Sequence, residues 1–543
     1  MTREEIEAPI KDATMDRRNF IRRGLCAGIS FPFAAQAARR AQASAQIPPE
    51  HNIYQGVTPV PAYEIEEKNL AKTTAEIDSL IARGPFPATW ASLHSHQDPE
   101  WFRDAKFGIY THWGPVTVGS SYSPGDAEWY GNQMYKPDHP AFKYHQQQFG
   151  DQHKVGFKDI IPRFTGEKFD AEAWADIFTR AGARFAGPVA AHHDNFALWN
   201  SSLTRWNSVA LGPHRDIVGE LEKAYRKRGL RYVTTFHHGY AWRYYEPAFA
   251  YDAADPQYSD LYTEPHSPGT PPSKHYQDKW LAEVYEVLEK YQPDLIYFDF
   301  EFREVITPEY EQKLFATAYD WAARNGREIG VTQKDRGIHE HTGILDFERG
   351  REDRLTPYPW LDDTALGSWF YVAAEGIKSA THVVGIFADI VAKNGCMMLD
   401  IGPQVDGTLP QQGVDVLLEI GEWLKTNGEA IYGTRPWTVY GEGPTKNVAG
   451  ASFSEEKDQP FTAQDVRFTT KGKALYAILL DWPEKESLIT SLPEGKLLWF
   501  GQIQHVQMLG VDEPLPWTQD RQGLRVELPQ THRGAHAYVL KIT

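Results

Sequence analysis

Between about residues 104 and 427, apolar strand-like runs alternate with amphipathic helical ones, and this alternation constrains the fold more than any other feature of the chain. Strands are predicted at Phe107–Thr111, Phe185–Ala191, Arg231–Phe236, Leu295–Phe298, Ile329–Thr332, Ile344–Phe347, Ser368–Val372 and Met397–Ile401. Helices are predicted at Asp216–Lys227, Tyr276–Lys290, Glu309–Asn325, Ile377–Lys393 and Gly413–Thr426; in the second, Trp280, Leu281, Val284 and Leu288 share one face. Thr307-Pro308-Glu309 supplies an N-cap residue, a first-turn proline and an acid at the positive helix end. Asn325-Gly326 and Asn394-Gly395 stop helices and restart strands. Eight strands interleaved with helices predict an α/β fold, the (β/α)₈ barrel. A doubly wound sheet is the competing architecture, but no Gly-rich phosphate turn comes after the first strand.

From about Pro436 the pattern shortens to β-rich runs at Val466–Thr470, Ala474–Leu480, Leu497–Trp499, Leu524–Leu528 and His536–Ile542. These predict a C-terminal antiparallel β-sandwich over residues 436–543, behind a barrel over 101–435. Residues 46–100 read as an N-terminal arm, Pro-rich at first and helical near Asn69–Ala82. Residues 1–45 read as an export signal: Asp16-Arg17-Arg18-Asn19-Phe20 resembles a twin-arginine motif, with a weakly apolar stretch and small-residue sites near Ala43 behind it. A periplasmic or secreted protein is expected.

That leader carries eight Lys/Arg against five Asp/Glu, so the chain without it is more acidic than the whole-chain charge of -17. Such a surface repels phosphate backbones and anionic lipids, which argues against nucleic acid as a partner. No apolar run reaches membrane-spanning length. Of the two cysteines, Cys26 lies in the leader; Cys396 remains alone and reads as a buried strand residue.

Polar residues sit at or just past the C-terminal ends of the predicted strands: His112, His192-His193, His237-His238, Asp299, Arg336 and Glu348. In a barrel those ends converge on the face where active sites form. Asp299 ends the run Asp294-Leu295-Ile296-Tyr297-Phe298, and Glu348 ends Ile344-Leu345-Asp346-Phe347. Two carboxylates facing one bond suit glycoside hydrolysis, with one ionised as nucleophile and the other donating a proton to the leaving oxygen. Either residue also admits a plainer reading, as an ion-pair carboxylate at a strand–loop junction. A metal site is the other use of clustered histidines, but no helical HExxH spacing occurs, and adjacent His192 and His193 would point apart on a strand. No cofactor or metal is implied.

The stretch Trp101-Phe102-Arg103-Asp104-Ala105-Lys106-Phe107-Gly108-Ile109-Tyr110-Thr111-His112-Trp113-Gly114 resembles the opening strand of the family 29 glycoside hydrolases, the α-L-fucosidases. Glu128-Trp129-Tyr130, His192-His193-Asp194-Asn195-Phe196, Pro293 to Asp299, and Lys393-Asn394-Gly395 with Asp400-Ile401-Gly402-Pro403 after it resemble later motifs of that family in order. The resemblance covers about residues 100 to 440 and implies a barrel with a C-terminal β-sandwich. It implies Asp299 as nucleophile and Glu348 as acid/base, with His112, Glu128, Trp129, His192, His193 and His237 holding the sugar or walling its pocket. Arg336, in Lys334-Asp335-Arg336, matches a sugar-contacting arginine of an Asn-Asp-Arg pattern, and Trp369 matches an aromatic packed on the sugar's apolar side.

Two departures stand out. Asn195 replaces a usual glycine, and Phe300-Glu301 replaces the glycine after the nucleophile. If the strand continued, Glu301 would project on the Asp299 face roughly 6.6 Å along, as a rival acid or a contact that alters the recognised sugar. The expected activity is retaining release of a terminal α-L-fucose, with a fucosylated glycan or related sugar as partner and homo-oligomerisation left open. The alternatives are the same chemistry on α-L-galactose, or a catalytically silent carbohydrate-binding protein.

Overall fold

A computed structural model describes residues 64–300, 302–334, 342–530 and 534–543. The stretch expected to be an export signal (residues 1–45, with Cys26), Glu301 and Arg336 lie outside the described residues. Eight parallel strands close into a barrel in chain order: β1 (Phe107–Thr111), β2 (Phe185–Ala191), β3 (Arg231–Phe236), β4 (Leu295–Phe298), β5 (Gly330–Gln333), β6 (Ile344–Glu348), β7 (Trp360–Ala365) and β8 (Gly395–Asp400). The ring shuts where β1 pairs with β8, Phe107 opposite Met397 through Tyr110 opposite Asp400. Every residue of β2 and β8 is buried, as expected of parallel strands with side chains filling one face and helices covering the other. Cys396 is buried in β8.

The longer helices are α1 (Glu64–Arg83), α2 (Ala171–Arg180), α3 (Ile217–Lys227), α4 (Lys274–Tyr291), α5 (Pro308–Asn325), α6 (Ala380–Ala392) and α7 (Gln411–Asn427). The side chains of Asp170, Asp216, Ser273 and Ser379 cap α2, α3, α4 and α6 by accepting backbone N–H bonds of the first turn. Thr307 precedes α5 at the N-cap position, but its hydroxyl makes no capping bond; Pro308 occupies the first turn. Gly326 ends α5 at φ 60°, and Asn394 turns the chain from α6 into β8 at φ 79°. Helix α1, from the N-terminal arm, packs on α4 and α5. No helix among the described residues is long and apolar enough to cross a membrane.

The seventh strand corrects the sequence reading. Ser368–Val372 is rich in aromatics but forms an irregular loop, and the strand is Trp360-Leu361-Asp362-Asp363-Thr364-Ala365. Two central aspartates hide it, because isolated Asp is unfavourable in strands. Here each buried polar side chain finds a partner: Gly350 N–H donates to Asp362 at 3.0 Å, Tyr297 O–H to Asp363 at 2.9 Å, and Thr364 O–H to Glu455 at 2.6 Å. Between β6 and β7 no helix forms; a segment running from Gly450 to Asp458 lies there instead, with Arg351 bridging Ala451.

Beyond the barrel a five-stranded antiparallel sheet runs in the order β13-β16-β11-β10-β9, and a three-stranded one runs β12-β15-β14. Their strands are β9 (Arg435–Glu442), β10 (Val466–Lys471), β11 (Ala474–Leu479), β12 (Glu486–Ile489), β13 (Val506–Met508), β14 (Trp517–Asp520), β15 (Gly523–Glu527) and β16 (Tyr538–Ile542). Phe468, Leu475, Leu492, Val526 and Leu540 are among the core between them. Leu497–Trp499 is not a strand: Leu498 alone tucks in, through an isolated bridge to Gly501, while Leu497 and Trp499 are exposed.

Candidate active site

The C-terminal ends of the strands build the site. Asp299 comes directly after β4, its N–H bonded to the carbonyl of Phe236 at 3.2 Å. Glu348 closes β6 opposite Asp363 of β7. Between the two carboxylates lies the ammonium of Lys334, one residue past β5, at 2.6 Å from Asp299 Oδ1 and 2.9 Å from Glu348 Oε2. Those two oxygens therefore lie no more than about 5.5 Å apart.

Their environments separate the two acids. Burial alone would raise Asp299, but Lys334, then His237 and His193, outweigh it and hold its carboxyl well below the usual carboxylate range. Burial raises Glu348 to about 7, reinforced by Asp299 and Asp363 and only partly offset by Lys334. Near neutral pH the pair thus offers one anion and one proton donor.

A wall of imidazoles faces them. His112 comes after β1, and Asp400 of β8 fixes it twice, accepting from its backbone N–H and from its ring Nδ1, each at 2.9 Å. His237 comes after β3 and places Nδ1 3.3 Å from Asp299 Oδ2. His193 donates from Nδ1 to the carbonyl of His237 at 2.9 Å and sets Nε2 3.7 Å from Asp299. Because β2 ends at Ala191, His192 and His193 escape strand alternation, and their rings stay 4.0 Å apart at the barrel mouth. Burial lowers His112 and His193 to about 3 and His237 to about 4, and holds His192 well below the usual imidazole range, so all four are neutral at ordinary pH. A neutral imidazole offers one donor and one acceptor, which matches a hydroxyl group. His238 turns away to Glu283 of α4, at 3.3 Å.

Ring nitrogens of His112, His192 and His237 approach within 4.8 Å of one another, as do those of His193 and His237 with an Asp299 oxygen. The Lys334 ammonium and the His237 ring already engage Asp299. Trp129 packs near His193, Tyr240 and Tyr244, with ring centroids 5.6 to 5.7 Å away. Glu128 beside it is half-buried and pushed up to about 7 by desolvation. Trp369 comes from the loop after β7; its ring lies 5.2 Å from His112, with the Arg349 guanidinium over it at 4.6 Å.

The structure thus gathers Asp299, Glu348, His112, Glu128, Trp129, His192, His193, His237 and Trp369 around one mouth. Glu301 and Arg336 lie outside the described residues, and the strand continuation assumed for Glu301 does not occur: β4 ends at Phe298, and Phe300 breaks it at φ 67°. Sequence reasoning assigned no role to Lys334, Asp346, Asp363 or Asp400. Lys334 and Asp400 had a usable signal, since both are charged and end strand runs as the chosen residues do.

The α-L-fucosidase family profile matches residues 73–429, and the α-L-fucosidase C-terminal domain profile matches residues 458–543. Rat tissue α-L-fucosidase is 30% identical over 478 residues, spanning 85% of this chain and 94% of that one. Human plasma α-L-fucosidase is 31% identical over 456 residues, spanning 82% and 89%. The crystal structure of Thermotoga maritima α-fucosidase superposes with a TM-score of 0.68 at 28% identity, covering 84% of this chain and all of that one. With the profile match spanning the barrel, and the strand-end carboxylates lying within it, the chain belongs to the α-L-fucosidase family and is a glycoside hydrolase.

Proposed function

We propose that this enzyme releases a terminal α-L-fucose from a fucosylated glycan with retention, by double displacement. The observation that carries the reading is the separation of Asp299 and Glu348. A limit of about 5.5 Å suits direct attack by one carboxylate, whereas inversion needs roughly 6.5–9.5 Å to admit a water. Asp299, held as an anion, attacks the anomeric carbon and forms a glycosyl ester. Glu348, protonated near neutrality, gives its proton to the departing glycosidic oxygen, then takes one from the water that cleaves the ester. The neutral histidines hold the sugar hydroxyls, and Trp369 covers its apolar side. The relatives are named for fucose, and one Thermotoga structure is a complex with fucose.

Proton NMR of wild-type hydrolysis should detect the α-anomer first; β-anomer released first means inversion and removes Asp299 as nucleophile. Asp299→Gly should lower kcat by several orders of magnitude, and azide should partly restore turnover as a β-glycosyl azide, because the small anion takes the vacated space. An aryl α-L-galactoside compared with the fucoside tests the sugar at C6. Faster cleavage of the galactoside would reassign the substrate.

A further inference from the structure

We propose that Lys334 is a positioning residue that clamps nucleophile and acid through one ammonium and keeps Asp299 an anion. The inference rests on the roles just proposed for Asp299 and Glu348. Its basis is geometric. Lys334 Nζ lies 2.6 Å from Asp299, 2.9 Å from Glu348, 3.8 Å from Asp346 and 3.9 Å from Asp363. The first two carboxylates stand at the mouth, Asp299 directly after β4 and Glu348 at the end of β6; the other two belong to the interiors of β6 and β7. The ring of Tyr297 from β4 lies 5.5 Å below the ammonium, and its O–H donates to Asp363. Lys334 is therefore held from beneath while reaching both reacting groups.

The site needs a positive charge there. Among the described residues, His193 and His237 face Asp299 most closely, with His112 and Tyr297 also in its field, and burial keeps all four neutral. Glu348 adds a further acid beside it. Among the described residues, Lys334 supplies the one full cation in contact with Asp299. At these distances an ion pair out of water is worth far more than on a surface. The same ammonium moderates Glu348, which would otherwise rise further beside Asp299 and Asp363. Once Asp299 is esterified its charge is gone, and Lys334 is left to Glu348, favouring the carboxylate that must then accept a proton from water. Lysine suits the task because its charge is compact and its three donors turn freely.

The test is a pH–rate profile of kcat/KM on an aryl α-L-fucoside for Lys334→Met, with Lys334→Gln as a polar second variant in case the first misfolds. Lys334 lowers both carboxyls, so its removal should move the acidic and alkaline limbs up in pH and cut kcat at least a hundredfold. Lys334→Arg, which keeps the charge, should return both limbs toward wild type. An acidic limb that stays in place in the folded neutral variants overturns the proposal, whatever happens to the rate. So does an Arg variant whose limbs match the neutral ones. The anomer released by wild type is independent of these limbs, so failure of the retaining reading is seen separately.

Discussion

Phe300, directly after the nucleophile candidate, sits at φ 67°, and Asn195 beside the histidine pair sits at φ 60°. Both are left-handed, which explains why glycine is usual at these positions. Asn tolerates that region and here donates from Nδ2 to the carbonyl of Leu261 at 3.0 Å. Phe300 carries more strain, about 1–2 kcal/mol, and is held by its ring, which stacks on Tyr240 at 4.1 Å and approaches His193 at 4.9 Å. Stacking of this kind contributes about 0.5–1.5 kcal/mol. Phe300→Ala should therefore destabilise the protein by about 1–2 kcal/mol, because it keeps the strain and loses the stack. Phe300→Gly should recover about 1 kcal/mol of that loss by relieving the backbone. Denaturant unfolding of both variants decides it; equal stabilities would mean the backbone is not strained. The sequence marks these positions as departures but not their conformation. The strand-end carboxylates and histidines were legible because each ends an apolar run. Lys334 escapes notice because the resemblance draws attention to Arg336 in the same motif, and only the packed barrel brings β5 between β4 and β6.

At the scale of elements, the segment from Gly450 to Asp458 stands in for a barrel helix and grips the end of β6. Phe453 N–H donates to the carbonyl of Glu348 at 2.7 Å, and Glu455 N–H to that of Arg349 at 3.0 Å. Glu455 also ties to Lys378 at 2.7 Å, joining this segment to the loop after β7. The fit is close at Gly350, where a Cβ would meet the carbonyl oxygen of Ala451 at 2.3 Å. Gly350→Ala must lift the segment, which loosens the backbone that aims Glu348. Proton donation matters most for poor leaving groups, so the variant should lose about tenfold or more in kcat on an unactivated fucoside and far less on an activated aryl one. An unchanged ratio between the two substrates would separate Glu348 from this buttress. Sequence periodicity located most barrel strands within a residue or two, because helix-covered parallel strands read as apolar runs. It failed at β7, where buried aspartates are satisfied by partners distant in sequence, and at Leu497–Trp499, where only Leu498 is buried and its sole ladder contact is an isolated bridge to Gly501. It carried no hint of the helix-free β6–β7 link, whose replacement comes from about a hundred residues downstream.

Across the whole molecule, barrel and sandwich are joined by a buried ionic knot. Asp389 of α6 meets Lys393 at 2.8 Å, Arg351 at 3.7 Å and Arg467 of β10, while Arg351 also pairs with Asp458. Trp423 of α7 donates to the carbonyl of Ala537 at 2.8 Å across the same boundary. Composition and periodicity predict two packed units but not this seam, since each charge looks like an ordinary solvated side chain until its partners are placed. Burial opposes charge on Asp389, yet Arg467, Lys393 and Arg351 prevail and hold its carboxyl well below the usual range. A depressed folded value contributes stability that is present above the unfolded pKa of about 3.9 and is lost as pH falls through the folded one. Asp389→Ala leaves buried cations without their shared anion, so it should cost about 3–5 kcal/mol at neutral pH. The variant should also lose part of the wild type's decline in stability as pH drops below about 4, because the group responsible is gone. Urea unfolding at neutral pH and near pH 3 measures both effects. If Asp389→Ala matched wild type at neutral pH, the knot would contribute no net stability and the other contacts across the boundary would hold the two units together.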